Sequence, residues 1–310
     1  MPYFIITVDT EGDNLWKWKK GDPISTQNAV LIPKFQELCE KYNFKPVYLM
    51  NYEMVCDKAL VSYLTDQVYN DLCEIGIHIH AWNSPPEYEL ESMYDGNAYI
   101  TEYPNEIVYE KLVFLKDKIE SEFGTRVVSH RSGRWAIDEA YFKILEDVGI
   151  KVDCSITPQI DFSKMPGTTV NHGPNYLKEK IYPHNVRPGL LEVPMTTRKI
   201  RRISTGSLKH RIKSVILGDD FWMRLLKKDM SDFFYLKKYI EKERKCDYVE
   251  FMIHSSELLP GGNPYFKTVN DVNHLWFMLD CVFESFSNSG YVGITLNDYA
   301  NLVNDKNYSR

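Results

Sequence analysis

The sequence predicts an α/β fold, built on a largely parallel sheet of about seven to eight strands that can close into a barrel. Two patterns predict it. Short apolar or β-branched segments bounded by polar turns recur along the chain, and helical patterns lie between several of them. Strands that alternate with helices are typical of βαβ units and parallel sheets. Because such barrels commonly reach about 250 residues as one unit, we expect residues 1–310 to form a single domain.

Eight strands and five helices are predicted in order along the chain. The strands are expected at residues 3–8, 46–50, 75–80, 126–130, 151–156, 190–195, 248–254 and 291–296. The helices are expected at residues 26–42, 57–74, 105–123, 138–148 and 269–287. The clearest helical signal lies at 105–123, because apolar residues recur there at three-to-four spacing between Pro104 and Gly124.

Composition and charge exclude several classes of protein. A hydrophobic fraction of 44% and a charged fraction of 26% are globular values, which exclude a disordered or collagen-like chain. A net charge of −6 disfavours nucleic-acid binding. The chain starts without the basic segment of a signal peptide, so we expect a cytoplasmic protein. Its six cysteines include no CxxC pair and are expected to be reduced.

Potential metal ligands follow the first and third predicted strands. Asp9, Glu11 and Asp13 continue the first strand at a spacing of two, and His78 and His80 end the third strand at the same spacing. Alternate residues of an extended segment share a face, so each set can point to one place. Two imidazoles and a carboxylate can bind one metal ion and leave positions open for water. The alternatives are a solvated acidic turn and a pair of packed histidines.

Two later strand ends carry further candidate residues. Arg131, Arg134 and Trp135 follow the fourth strand, where guanidinium groups can orient a carboxylate or bind an anionic substrate. His254 ends the strand at 248–254, a suitable position for a general acid, with Glu257 available to orient it. The alternatives are a solvated loop around the two arginines and a purely structural histidine.

The order and placement of these motifs resemble the polysaccharide deacetylases of carbohydrate esterase family 4. Asp9-Thr10-Glu11 resembles the first motif, with its Asp base and acidic metal ligand, and Gly76-Ile77-His78 resembles the Gly-x-His of the second. Arg131 resembles the arginine that braces the base, and His254 resembles the catalytic histidine. The sequences of residues 76–86 and 254–265 are similar to those of a divergent branch associated with bacterial cell-envelope polysaccharide synthesis.

The resemblance implies a distorted (β/α) barrel and a metal-dependent hydrolase that removes an N-acetyl or related acyl group from a sugar. The implied catalytic residues are Asp9, Arg131 and His254, and the implied ligands of a divalent ion are Glu11, His78 and His80. The ion is expected to be zinc, with cobalt, nickel or iron as alternatives, and Asp13 is a reserve ligand. The residues expected to contact the sugar are Trp82, Arg134, Trp135 and Tyr265.

This sequence departs from the family pattern at the second, third and fourth motifs, and the third lacks the usual Pro. The usual second metal histidine lies four residues after the first, where this chain has Trp82, so His80 is expected to replace it. The fourth motif, normally rich in Asp, resembles only Glu192-Val193-Pro194-Met195, so no Asp is visible to orient His254. Two other functions therefore stay open: hydrolysis of cyclic amides or ureides on the same fold, and glycan binding without catalysis.

A basic insertion is predicted at about residues 196–247. Residues 198–213 hold seven Lys or Arg and no acidic residue, beside an apolar stripe formed by Leu208, Ile212, Val215 and Ile216. Such stretches favour anionic membrane surfaces or the phosphates of a nucleotide- or lipid-linked sugar. The alternative is a solvated helix that covers the barrel.

Overall fold

A computed structural model describes residues 2–19, 21–203, 207–226 and 229–308. Eleven strands lie in these ranges: β1 (Tyr3–Thr10), β2 (Pro46–Met50), β3 (Glu74–Ile79), β4 (Ser129–Ser132), β5 (Val152–Asp153), β6 (His184–Arg187), β7 (Leu190–Glu192), β8 (Thr197–Ile200), β9 (Asp219–Trp222), β10 (Tyr248–His254) and β11 (Val292–Gly293). Nine α-helices lie there as well: α1 (Ile32–Lys41), α2 (Tyr52–Val55), α3 (Lys58–Tyr69), α4 (Asn105–Phe123), α5 (Glu139–Asp147), α6 (Leu208–Leu217), α7 (Ser231–Glu243), α8 (Val269–Asn288) and α9 (Leu296–Tyr308).

Nine of these strands form one curled sheet. Its order is β10-β1-β2-β3-β4-β5-β7-β6, with β11 beside β1, and only the β6–β7 pairing is antiparallel among these described strands. The carboxyl ends of the parallel strands therefore meet at one end of the barrel. In the strand register, Asp9 of β1 lies opposite His254 of β10, and His78 of β3 lies opposite Arg131 of β4.

The barrel is distorted, because its strand ladder is open between the edge strands β6 and β10. Irregular chain closes this gap. The Oγ1 of Thr196 accepts a hydrogen bond of 2.9 Å from the backbone N–H of Glu250. The carbonyl of Met223 accepts one of 3.1 Å from the N–H of Met252. The predicted class, one distorted α/β barrel domain, is confirmed.

The strands bury one face under helices and the other in the barrel. In β1, Ile6 packs outward in the larger apolar cluster, whereas Ile5 points inward to a smaller one. The inward residues become polar toward the carboxyl end, where Asp9 lies. At the amino end, α9 covers the barrel by packing Tyr299 against Tyr248. Burial of each large apolar side chain contributes about 1.5–3 kcal/mol, so both clusters hold the barrel together.

Every predicted strand and helix is present, with shifted bounds. The strand expected at 126–130 begins at Ser129, and the helix expected at 26–42 becomes a 3-10 helix at Gln27–Leu31 followed by α1. Pro33 fits in the first turn of α1, where its missing N–H costs no hydrogen bond. No pattern in the sequence predicts β6, whose edge position buries no continuous apolar face.

The region predicted as an insertion contains a hairpin and two helices. β8 and β9 pair antiparallel from Thr197 opposite Trp222 to Ile200 opposite Asp219, and α6 lies between them in the chain. Residues 204–206, 227 and 228 of this region lie outside the described residues. In the described part of the chain, no helix combines the length and the apolarity that crossing a membrane requires. Each of the six cysteines has a free thiol.

Candidate active site

Three side chains with metal-binding atoms converge where β1 and β3 end. Glu11 follows β1, His78 lies in β3, and His80 follows β3 directly. The Oε2 of Glu11 lies 2.9 Å from the Nε2 of His80 and 3.4 Å from the Nε2 of His78. The two Nε2 atoms lie 3.2 Å apart. The structure thus brings together the three residues predicted as metal ligands.

The donor set fits a divalent transition-metal ion. A tetrahedral ion with bonds of about 2.0–2.1 Å separates its ligand atoms by about 3.3 Å, close to the spacing found here. The Nδ1 of His78 donates to the backbone carbonyl of Arg131 at 3.1 Å, which leaves the Nε2 of His78 available as a ligand. Burial opposes ionisation of Glu11, but the surrounding histidines outweigh it and hold the pKa of this carboxyl below its usual value. Glu11, His78 and His80 could therefore hold such an ion.

Asp9 is positioned by a fully buried arginine. The Nη1 of Arg131 donates to the Oδ1 of Asp9 at 2.6 Å, and its Nη2 donates to the Oγ1 of Thr7 at 2.8 Å and to Glu250. Burial opposes ionisation of Asp9, but Arg131 and two nearby histidines together lower the pKa of its carboxyl. Burial raises the pKa of Glu250 to about 7, against the opposing effect of Arg131. Asp9 is therefore the carboxylate that Arg131 keeps ionised.

His254 faces this carboxylate from the end of β10. Its Nε2 lies 3.7 Å from the Oδ2 of Asp9 and 4.0 Å from the Oε1 of Glu11. Its Nδ1 lies 3.0 Å from the Nη2 of Arg224 and 3.1 Å from the Oε1 of Glu257. Arg224 also donates to Glu257 at 2.6 Å. Its Nε2 faces the site, so a proton carried on this nitrogen points toward Asp9 and Glu11.

These groups lie on the floor of a pocket of about 470 Å³. Its aromatic lining residues are Trp16, Trp82, Tyr99, Trp135, Phe162, Trp222 and Tyr265. Trp82 stacks on Trp18 at a centroid distance of 4.6 Å, and the Nε1 of Trp16 donates to the Oγ of Ser256 at 3.2 Å. The walls are therefore held in place by their own contacts and offer apolar ring faces beside a polar floor.

All four residues predicted to contact the substrate line the pocket: Trp82, Arg134, Trp135 and Tyr265. Arg134 also has a second role. Its Nη2 donates to the hydroxyl of Tyr99 at 3.1 Å and to the carbonyl of Pro166 at 3.0 Å, and its guanidinium lies 3.9 Å from the centroid of the Tyr99 ring. Arg134 therefore joins two loops of the pocket wall. Arg134 and Trp135 have φ values of 56° and 63°, a strained region for residues other than glycine.

Asp13 lies apart from the predicted ligands. Its Oδ2 accepts hydrogen bonds of 3.1 Å from the Oγ of Ser25 and 3.3 Å from the backbone N–H of Asn28. The cluster of possible metal ligands in the described residues does not include it. Asp13 therefore stabilises the loop after β1, and its predicted use as a reserve ligand finds no support in this geometry.

Sequence reasoning missed several residues of the pocket, among them Trp16, Trp222 and Arg224. Trp222 and Arg224 come from the region predicted as an insertion, and no local pattern marks Arg224 as a partner of His254. Trp16 lies 5.2 Å from the His254 ring, between centroids. Two tryptophans, Trp16 and Trp18, closely follow the acidic residues at the end of β1. This concentration of aromatic residues could have indicated Trp16 as a pocket residue.

No protein-family model and no curated protein matches the sequence. Solved structures share its fold. A protein from Mycobacterium smegmatis, provisionally assigned as a polysaccharide deacetylase, has a TM-score of 0.50 at 11% identity, over 95% of this chain and 94% of its own. A glycoside hydrolase family 57 branching enzyme from Thermococcus kodakaraensis has a TM-score of 0.54 at 12% identity, over 97% of this chain and 71% of its own.

A 4-α-glucanotransferase from Thermococcus litoralis is similar as well. Its TM-score is 0.51 at 12% identity, over 97% of this chain, and this chain spans 38% of its length. At such identities these similarities show the fold alone. The chain therefore has the distorted α/β barrel that the resemblance implied, and its chemistry depends on the residues of its own site.

Proposed function

We propose that this chain is a metal-dependent hydrolase that removes an N-acetyl or related acyl group from a sugar. One observation carries the proposal: the Glu11–His78–His80 donor set, Asp9 and His254 meet on the floor of one pocket, with Asp9 and His254 separated by 3.7 Å. The sequence motifs and the fold shared with the Mycobacterium smegmatis protein support the same chemistry. Zinc is the favoured ion, with cobalt, nickel or iron as alternatives, because imidazole and carboxylate ligands suit all four.

The residues around the donor set have complementary roles in amide hydrolysis. An ion bound by that set would polarise the acyl carbonyl and lower the pKa of a water molecule to about 7. Asp9, kept ionised by Arg131, is placed to take a proton from the attacking water. His254 turns its Nε2 toward the pocket and, as the protonated imidazolium, is placed to deliver a proton from that nitrogen to the leaving amine. The C–N bond then breaks to give a free amine and a carboxylate.

The proposed substrate is an N-acetylated sugar of bacterial envelope polysaccharide synthesis, linked to a nucleotide or a lipid and processed in the cytoplasm. The pocket lining supports a sugar, because Trp16, Trp82 and Trp135 place aromatic rings around a floor of hydrogen-bonding groups. The resemblance of residues 76–86 and 254–265 to the envelope-polysaccharide branch supports the biosynthetic role.

Cleavage of a glycosidic bond, the chemistry of other enzymes with this fold, suits the pocket less well. Glycoside hydrolysis generally requires one carboxyl group with a raised pKa to act as the general acid. Among the described residues that line the pocket, the carboxyl groups belong to Asp9 and Glu11. The pKa of Asp9 is lowered by Arg131 and nearby histidines, and that of Glu11 by nearby histidines, in both cases against the effect of burial. Amide hydrolysis needs only an ionised base here, so it remains the better fit.

Acetate release tests the proposed activity directly. Protein loaded in turn with zinc, cobalt or nickel is incubated with N-acetylated sugars, acetylated nucleotide sugars and cyclic amides. We expect acetate from at least one acetylated sugar, loss of activity on chelation, and recovery when the metal is restored. Hydrolysis of cyclic amides alone, or sugar binding without acetate release across the panel, would overturn the proposal.

Removal of a ligand histidine tests the metal site separately from the activity. We expect His78→Ala and His80→Ala to lose metal that the wild type retains at about one ion per chain, because each removes one of three ligands. Metal content is measured by inductively coupled plasma mass spectrometry after gel filtration. His274→Ala, on the exposed face of α8, is the control and should keep its metal. Full metal content in both site variants would exclude this donor set.

A further inference from the structure

Helix α6 presents an apolar stripe to solvent. The stripe residues and their exposed fractions are Leu208 at 72%, Ile212 at 51%, Val215 at 48% and Ile216 at 58%. At about 3.6 residues per turn they share one side of the helix, nearly opposite Ser214. The buried Oγ of Ser214 donates to the carbonyl of Arg202 at 2.9 Å and lies 2.6 Å from the Oδ2 of Asp219. The helix is thus attached by its polar face, and its apolar stripe points outward.

Cationic side chains border this stripe on both sides. By the same helical spacing, Lys209 and Lys213 fall along one edge and Arg211 along the other, and all three are exposed. The sequence contains no Asp or Glu between residues 196 and 218, although the whole chain has a net charge of −6. The surface is therefore both apolar and locally cationic, on a protein that is otherwise acidic.

Three other cations of the predicted basic stretch already have acidic partners. Arg198 pairs with Glu243 at 2.8 Å, Lys199 with Asp220 at 2.9 Å, and Arg202 with Asp232 at 2.6 Å. Arg198 and Arg202 hold this region against α7, and Lys199 pairs across the β8–β9 hairpin. The charge available to a partner therefore lies mainly on α6, and the exposed Arg201 is the remaining cation of residues 198–213.

We propose that α6 binds the surface of a lipid bilayer that contains anionic lipids. The apolar stripe would lie at the boundary between headgroups and acyl chains, and the flanking cations would meet lipid phosphates. A second copy of this chain fits less well, because a symmetric contact between two α6 helices would bring like charges together. A protein partner would need an acidic rim around an apolar groove, whereas an anionic bilayer provides both features over its whole surface.

The position of α6 connects this surface to the pocket. β9 runs from Asp219, next to the end of α6, to Trp222, which lines the pocket. At about 3.4 Å per residue, this strand separates the two by only about 10 Å. Binding through α6 would therefore hold the pocket near the bilayer, where a lipid-linked sugar would be found. This consequence for the substrate rests on the proposed function, whereas membrane binding itself does not.

Vesicle sedimentation tests the surface without any measurement of activity. We expect the wild type to sediment with vesicles of phosphatidylcholine and phosphatidylglycerol at low salt, and binding to decline at about 0.5 M NaCl. Replacing Lys209, Arg211 and Lys213 by Gln should weaken binding by about 100-fold, since each cation near an anionic surface raises the affinity by about fivefold. Ile212→Ser with Ile216→Ser should weaken it by at least about tenfold.

The control exchanges apolar residues of similar exposure elsewhere. Val269 and Phe277 on α8 are 63% and 58% exposed, and their double replacement by Ser should leave vesicle binding unchanged. The proposal would be overturned by absence of binding at low salt, by equal binding to pure phosphatidylcholine, or by an equal loss of binding in the α8 control. Binding of the protein to an immobilised acidic polypeptide but not to vesicles would overturn it as well. The α6 variants should still release acetate from a soluble substrate, so the two proposals can fail separately.

Discussion

The two carboxylate oxygens of Asp9 have different surroundings. The Oδ1 is held by Arg131 at 2.6 Å, whereas the Oδ2 lies 4.0 Å from the Nε2 of His78 and 3.7 Å from that of His254. One oxygen therefore anchors the side chain and the other faces the place where a reacting group would bind. This division allows the carboxylate to be both oriented and able to accept a proton.

Removal of this base should reduce turnover and leave the metal in place. We expect Asp9→Asn to lower kcat for acetate release by about 10²–10⁴-fold, because the amide keeps the shape but cannot accept the proton. His254→Ala should cause a loss of similar size through the missing general acid. Metal content should be unchanged in both, since neither residue belongs to the donor set. Asp66→Asn on α3 is the control, and wild-type kcat in Asp9→Asn would exclude this role for Asp9.

At the scale of secondary-structure elements, the close approach of the ends of β3 and β4 shapes the metal site. Ile79 pairs with Ser132, so His80 and Gly133 are the next residues of the two chains. A Cβ at Gly133 would lie 2.4 Å from the Nδ1 of His80 and 2.6 Å from the carbonyl oxygen of Ile79. The missing side chain of Gly133 therefore makes room for the imidazole ring.

We predict that Gly133→Ala weakens metal binding by about 10–100-fold, the usual cost of disturbing a residue that positions a ligand. The added methyl group must displace the His80 ring or the strand end. Affinity is measured by competition with a chromophoric chelator. The matched control is Gly189→Ala, where a Cβ would meet the Oε1 of Glu146 at 3.8 Å and nothing closer. Equal affinities for all three proteins would show that His80 does not depend on this gap.

At the scale of the whole molecule, buried charges occupy the centre of the barrel. Arg131 bridges Asp9 from β1 and Glu250 from β10, and all three side chains are almost fully buried. Glu250 lies farther from the pocket, and burial raises the pKa of its carboxyl from 4.5 to about 7. The folded barrel therefore binds a proton at Glu250 that the unfolded chain releases at a lower pH.

This difference predicts a pH-dependent stability. The stabilising effect of the proton is complete below about pH 4.5 and is lost as the pH rises through about 7, because the folded state then loses its extra proton. Across this range the free energy of unfolding of the wild type should fall, relative to Glu250→Gln, by about 3 kcal/mol. Urea unfolding of both proteins at several pH values measures it, and parallel pH profiles would contradict the prediction.

Much of the fold and of the site floor can be predicted from the sequence, because their signals are local. Residues two apart at a strand end share a face whatever surrounds them, so Glu11 lies on the same face as Asp9 and His80 on the same face as His78. The parallel sheet then brings the strand ends together. Arg134 is harder to interpret from sequence, because the carbonyl and hydroxyl groups that it binds come from loops far along the chain.

The sequence by itself determined the alternation of strands and helices, the barrel class and the identity of the polar residues at the strand ends. Only the tertiary structure decided that Arg224 contacts His254, that Asp13 turns to its own loop, and that α6 faces outward. The physical reason is the separation along the chain of the residues that interact. Periodicity and facing follow from the geometry of a few neighbouring residues, whereas a hydrogen bond between Arg224 and His254 depends on how distant segments close the gap in the barrel.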